Sequence, residues 1–267
     1  FDLRKAFYQA WSTRASDQGP SAGQFDNRPV MEKLLALRHE SAQLLGYPNY
    51  AAYALARRMA RSVDEVLAFL RQMAAAARPA AERELAELTG FAGRQLDAWD
   101  ITFFSERLQE ERYSISQEEL RPYFALPRVL DGLFGVIRRL FGISFRPRTD
   151  VPLWHPDARY SHTVTFSVGG VYLDPYARPN KRSGAWMDDC VGRKQLANGS
   201  ALPVAYLVCN ALPGADGKPA QLTHDDVVTL FHEFGHGLHH LLTRVKYPSI
   251  AGINGVAWDA VELPSQF

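Results

Sequence analysis

The sequence predicts a mainly α-helical protein with a small β-sheet beside a histidine-rich helix near the C-terminal end. Through residues 1–146, apolar side chains recur with a period near 3.6, which indicates amphipathic helices. In residues 147–222, short β-prone runs alternate with Gly and Pro, which indicates a short sheet. The helical pattern returns in residues 223–267. The predicted order is therefore a helical body, a sheet region and a final helical region.

The helical body contains clear helix signals. Residues 31–45 and 127–142 each place apolar side chains on one stripe, next to a Gly that suits a helix C-terminus. Ser62 and Glu65 have the spacing of a capping box at the start of a long Ala-rich helix. Pro79 lies inside that helix, and we expect it to kink the helix or divide it in two.

The sheet region begins with a hairpin signal. Two β-prone runs flank Gly169 and Gly170, which predicts a β-hairpin. Residues 203–211 predict a further strand. Between these elements we expect Asp188 and Asp189 to lie in a turn with both carboxylates in solvent.

The bulk composition excludes several classes of partner. Thirty Lys and Arg against 29 Asp and Glu give a formal charge of +1, so the chain lacks the basic field that attracts nucleic acid. No run approaches the roughly 18 to 20 apolar residues of a membrane-spanning helix. Cys190 and Cys209 are the only thiols, too few for a secreted disulfide scaffold. We therefore expect a cytoplasmic protein.

The candidate chemistry lies in FHEFGHGLHH, residues 231–240, on a helix that begins at Thr223. We expect the Thr223 hydroxyl to cap this helix, with Asp226 at its third position as in a capping box. His232 and His236 are one helical turn apart and only about 40° apart around the axis, so both imidazoles can bind one ion. Glu233 is rotated away from the line between them and is placed to address a water on that ion. This is the HExxH arrangement, and it predicts one catalytic Zn²⁺.

A hydrolytic zinc site takes a third protein ligand and keeps one position for water. Glu262 and Asp259 are the carboxylates that follow His240, and on a helix they would share a face. Glu262 has the reach to bind the ion. Asp259 could accept a hydrogen bond from a ligand imidazole or simply occupy a helix N-terminus. Asp225 shares the face of the two histidines, and a capping role is its alternative.

A second interpretation makes the histidines structural. If His239 or His240 supplied a fourth protein ligand, the metal site would be closed and the chain would be a metal-stapled binding module. A metal-free helical binding module is the related alternative. An open water position would favour the enzyme.

Several segments together resemble one known family. FHEFGHGLHH followed by WDAVELPSQF is similar to the zinc peptidase family that contains oligopeptidase A, thimet oligopeptidase, neurolysin and dipeptidyl carboxypeptidase. FDLRKAFYQAWSTRASDQGP, LRPYF, NKRSGAWMDDC and PVAYLVCN also look like members of that family. The resemblance implies that His232, His236 and Glu262 bind zinc and that Glu233 is the general base.

The resemblance also implies a zincin-like helical metallopeptidase domain with a channel that admits short, unstructured peptides. It implies a zinc endopeptidase, with dipeptidyl carboxypeptidase as the alternative activity, and we expect the chain to be a monomer. We expect residues 1–267 to be one fragment of a catalytic domain, and a catalytically incompetent fragment with a structural metal is a further alternative. The strand expected to form the sheet edge that binds the peptide contains Ala205, Tyr206, Leu207 and Val208.

Overall fold

The computed structural model describes residues 2–114, 116–164, 168–215 and 217–266. The chain divides into two compact units, Phe1–Ser116 and Gln117–Phe267. Helices and a small mixed sheet form the described fold, so the mainly α prediction with a small sheet is confirmed. Within the described ranges, no helix combines the length and apolar character needed to cross a membrane. The assignment of all 267 residues to one catalytic-domain fragment stays a prediction.

The first unit is helical. Its α-helices are α1 (Asp2–Ser12), α2 (Arg28–Leu44), α3 (Tyr50–Leu55), α4 (Val63–Ala92) and α5 (Ile101–Tyr113). The helix predicted over 31–45 is present as α2, but its apolar stripe is not buried: Met31 and Leu35 are both exposed. The period of the sequence therefore predicted the helix correctly but not the burial of its apolar face.

Helix α4 shows how capping residues set its ends. The Ser62 hydroxyl accepts a hydrogen bond from the Glu65 backbone N–H at 3.1 Å, as a capping residue should. The Glu65 carboxylate accepts from the Arg61 N–H at 2.7 Å, and Gly93 ends the helix in the left-handed conformation. Of the two effects predicted for Pro79, division of the helix is wrong, because all 30 residues form one helix with Pro79 inside it, and a kink stays a prediction. Intact hydrogen bonds before and after Pro79 hold the helix across the missing N–H donor.

A buried carboxylate connects α1 to the segment between α4 and α5. Asp100 is fully buried and forms ion pairs with Arg4 at 2.9 Å and Arg94 at 2.7 Å. Burial acts to raise the pKa of Asp100, but hydrogen bonds and the two cations outweigh it and lower the pKa below its ordinary value. The carboxylate therefore stays ionised and joins α1 to the segment between α4 and α5.

The second unit contains two long helices and a sheet. Its helices are α6 (Gln117–Leu120), α7 (Leu126–Phe141) and α8 (His224–Leu241), with a 3₁₀ turn at Arg121–Tyr123 and others at Pro248–Ile250, Trp258–Ala260 and Leu263–Gln266. Its strands are β1 (Phe145–Arg148), β2 (Arg159–Thr163), β3 (Gly170–Tyr176), β4 (Trp186–Val191), β5 (Lys194–Leu196), β6 (Gly199–Ala201) and β7 (Val204–Ala211). The sequence grouped α7 with the helical body, whereas the structure places it in this sheet-containing unit.

The main sheet has the order β1-β2-β3-β7-β4. β2 and β3 are antiparallel, so the predicted hairpin is confirmed, but Gly170 is the first residue of β3 and residues 165–167 of the connection lie outside the described residues. β7 is parallel to β3 and antiparallel to β4. β7 is therefore an interior strand and β4 is an edge. β5 and β6 form a separate two-stranded sheet.

One face of the sheet packs against α7 and α8. Alternate residues of β3 and β7, such as Val171 and Leu207, point into this core, as the two-residue period of a strand requires. From α8, Phe234 packs edge to face against Phe134 and Phe145, with ring centroids 5.9 and 5.5 Å apart. This packing fixes α8 relative to the sheet, which positions the histidines described next.

Candidate metal centre

Helix α8 presents His232 and His236 on a rigid support. Its start matches the predicted capping box: the Asp226 N–H donates to the Thr223 hydroxyl at 3.1 Å, and the Thr223 N–H donates to the Asp226 carboxylate at 2.9 Å. Leu230, Phe234, Leu238 and Leu241 are buried on the opposite side of the helix. The two histidines therefore project from a helix whose first turn is capped and whose orientation about its axis is set by its buried apolar side.

The structure brings His232, His236 and Glu262 together, and these three residues are called the metal centre below. Glu262 Oε2 lies 3.2 Å from His232 Nε2 and 3.1 Å from His236 Nε2. One ligand atom from each residue lies within 4.8 Å of the others. Tetrahedral zinc with ligands at about 2.0–2.2 Å separates its ligand atoms by about 3.3–3.6 Å. Two imidazoles and one carboxylate at these separations fit a zinc ion.

Glu262 does not lie on the predicted second α-helix. Residues 242–266 are all described, and they form turns and 3₁₀ segments with no α-helix. The reason is local: the Ser265 N–H bonds the Glu262 carbonyl at 3.3 Å, an i to i+3 bond, and Pro264 lacks an N–H. The buried Ser265 hydroxyl also donates to the Glu262 carbonyl at 2.7 Å and contacts Oε2 at 3.3 Å. Ser265 therefore holds the turn that carries Glu262, and no sequence pattern indicated this contact.

Glu233 lies beside the metal centre in a different environment. Its side chain is buried, and this burial raises its pKa above the ordinary value. His232, His236 and a hydrogen bond from the Met187 backbone N–H act in the opposite direction. Met187 belongs to β4, so the carboxylate is held between the histidine helix and the edge strand. A buried carboxylate with a raised pKa next to possible metal ligands suits proton transfer.

The remaining predicted residues have different positions. Asp225 lies in the first turn of α8 with 91% of its side chain exposed, and its described contact is His224 Nδ1 at 3.9 Å. Asp259 lies in the 3₁₀ turn Trp258–Ala260, and its role as a hydrogen-bond acceptor for a ligand stays a prediction. His240 is fully buried, and its Nε2 contacts the Val191 carbonyl at 2.9 Å. Among the residues described, the cluster that could hold a metal includes neither His239 nor His240.

The predicted substrate edge strand needs correction. Ala205, Tyr206, Leu207 and Val208 lie in β7, which pairs with β3 on one side and β4 on the other. The backbone N–H and C=O groups of β7 therefore pair with neighbouring strands within the sheet. The edge beside α8 is β4, where the sequence analysis expected a turn around Asp188 and Asp189. The β-prone residues of this segment are Trp186, Met187 and Val191. The adjacent Asp188 and Asp189 are of a type that strands disfavour, so the sequence pattern did not indicate a strand.

Comparison with known proteins shows the family of the chain. The sequence profile of Peptidase family M3 matches residues 2–267. The chain belongs to peptidase family M3. Oligopeptidase A of Salmonella typhimurium is 54% identical over 99% of this chain and 40% of its own length. Oligopeptidase A of Escherichia coli is 55% identical with the same coverage. Dipeptidyl carboxypeptidase of Escherichia coli is 39% identical over 98% of this chain and 39% of its own length. The family resemblance seen in the sequence is confirmed, and this family M3 chain spans about two fifths of these relatives.

Proposed function

We propose that this family M3 chain carries the active site of a zinc-dependent oligopeptidase with a zincin-like fold. The observation that carries the proposal is the approach of three ligand atoms, from His232, His236 and Glu262, to within 4.8 Å of one another beside buried Glu233. The chain's 54% and 55% identity to two proteins named Oligopeptidase A supports short peptides as its substrates.

The metal centre supplies three protein ligands, the number typical of catalytic zinc. Bound zinc would lower the pKa of a coordinated water and polarise the scissile carbonyl. Glu262 is 63% exposed and His232 is 34% exposed, so the centre opens to solvent on that side. This openness supports the enzyme over the structural site closed by His239 or His240.

Glu233 performs the proton transfer in this proposal. Its carboxylate takes a proton from the attacking water and delivers it to the amide nitrogen that leaves. The Met187 backbone N–H forms a hydrogen bond with this carboxylate. β4 is the edge strand next to α8, and an extended peptide can add to such an edge as a further strand. No covalent intermediate with the protein is required.

Substitutions at Glu233 and His236 test the proposal. They are made in the complete open reading frame that encodes this chain. Glu233→Gln should retain one zinc per chain and lose about 10²–10⁴-fold in turnover, because only the proton acceptor is removed. His236→Ala should lose both zinc and turnover. Glu118→Gln, on an exposed side chain of the same unit, is the matched control. Full peptide cleavage by Glu233→Gln would contradict the mechanism.

Dipeptidyl carboxypeptidase activity is the second candidate, supported by the 39% identity to that enzyme. The two activities differ in their products. A peptide with an amidated C-terminus should still be cut internally by an oligopeptidase, whereas release of C-terminal dipeptides alone from the free peptide would favour the second candidate. A cytoplasmic location and a monomeric state stay predictions, which fractionation and light scattering can test.

A further inference from the structure

One stripe of α8 faces the sheet at three points. Gly237 and His240 follow Glu233 by four and seven positions, which places all three within about 60° around the helix axis. A Cβ atom added at Gly237 would lie 3.4 Å from Leu207 Cδ2 of β7. Glu233 accepts from the Met187 N–H of β4, and His240 Nε2 contacts the Val191 carbonyl of β4 at 2.9 Å. The stripe therefore runs beside the edge strand.

The two contacts with β4 have similar spacings along the helix and along the strand. Glu233 and His240 are separated by about 10.5 Å of helix, and Met187 and Val191 by at most about 13 Å of strand, because the pairing of β4 is irregular between Asp189 and Val191. Both pairs run in the same chain direction. The metal-binding helix and the edge strand are thus parallel and attached at two points, one beside the metal centre and one a full strand length away.

His240 forms the second of these attachments. It is fully buried, and because the Val191 carbonyl is an acceptor, Nε2 must carry the hydrogen. Gly252 lies against the other side of the ring, where a Cβ atom would be 2.6 Å from His240 Nδ1. Two residues later, the Asn254 side chain donates to the Asp189 carboxylate of β4 at 3.0 Å. The loop that leads to Glu262 is thereby held against the same strand.

We infer that His240 is a positioning residue that fixes the distal end of β4 relative to the metal centre and so controls binding on one side of the scissile bond. This rests on the proposed function. Among the described residues, β4 pairs with β7 alone. On its other side, Glu233 and His240 already bond the Met187 N–H and the Val191 carbonyl, so a peptide strand would pair with the backbone groups between them. The Val191 end is about four extended residues from the Met187 end, so only peptides that extend that far should depend on His240.

The test compares two peptide series, one extended on the N-terminal side of the scissile bond and one on the C-terminal side. His240→Ala should raise KM about tenfold for the longer members of one series and leave the other within about twofold, with one zinc per chain and kcat little changed. His240→Gln, whose amide can donate to the same carbonyl, should restore KM to within about threefold. His224→Ala, on an exposed histidine of the same helix, is the control.

A purely structural role for His240 would alter both series equally or only lower the unfolding temperature, and either result overturns the inference. If His240→Ala does not fold, His240→Leu fills similar space without a donor, and its comparison with His240→Gln makes the same distinction. Cleavage of both series by the wild-type protein with no one-sided change in the variants would remove this inference alone. Cleavage of neither series would remove the proposed function as well.

Discussion

Glu262 Oε2 lies 3.1 Å from His236 Nε2, although 26 residues separate the two in the chain. The segment between them leaves α8, passes the edge strand β4 and returns through two short 3₁₀ turns. The buried Ser265 hydroxyl donates to the Glu262 carbonyl at 2.7 Å and lies 3.3 Å from its carboxylate. The metal centre therefore depends on the folding of this return segment as well as on the HExxH helix.

Glu262→Gln should weaken zinc binding about a hundredfold or more while leaving the fold intact, because the amide keeps the shape of the side chain but loses its charge. Zinc affinity is measured by competition with a chromogenic chelator. Glu118→Gln on an exposed side chain should bind zinc as the wild type does. Unchanged affinity in Glu262→Gln would mean that the carboxylate is not a ligand.

The sequence predicted the residues of this centre but not the structure around its distant ligand. The cap at Thr223 and the spacing of His232 and His236 depend on helix geometry alone, so they could be read from the chain. The sequence also selected Glu262, but it assigned the wrong local structure, because i to i+3 bonding around Pro264 was not visible in the pattern. The interior position of β7 depends on strand pairing across the chain, which no local pattern specifies.

Folding stability should fall in acid through Asp174, a buried carboxylate on β3. Burial acts to raise the pKa of Asp174, but Arg178, Lys181 and Trp154 donate to it at 2.7 to 3.0 Å and lower the pKa well below its ordinary range. Because the folded pKa is depressed, this stabilisation is complete above the unfolded pKa of about 4 and is lost as pH falls toward the folded value.

Asp174→Asn should therefore cost about 3 kcal/mol of unfolding free energy at pH 7, since it leaves Arg178 and Lys181 without their carboxylate. The difference from wild type should shrink at about pH 3, which urea unfolding at both pH values measures. Asp131→Asn, on an exposed residue of α7, is the matched control. A difference that stays constant between the two pH values would contradict the role of the ionised carboxylate.

Pro79→Ala should stabilise α4, because Pro79 lies inside one continuous helix whose hydrogen-bond series it interrupts. Proline costs up to about 3 kcal/mol relative to alanine inside a helix, and the exposed position leaves room for the exchange. Helical circular dichroism and the urea midpoint of the unit Phe1–Ser116 should both increase. A lower midpoint would indicate that the ring makes a contact that compensates for the lost hydrogen bond.

Gly237→Ala and Gly252→Ala should change stability in opposite directions, although both glycines lie near His240. At Gly237, a Cβ atom would meet Leu207 at 3.4 Å, an ordinary contact, and alanine favours the helix by up to about 1 kcal/mol. At Gly252, φ is +64° and a Cβ atom would lie 2.6 Å from His240 Nδ1, so we expect a loss of about 1–3 kcal/mol. The thermal unfolding temperatures of the two variants, compared with that of the wild type, test this prediction. Equal destabilisation would mean that α8 packs against β7 more closely than the Leu207 distance indicates.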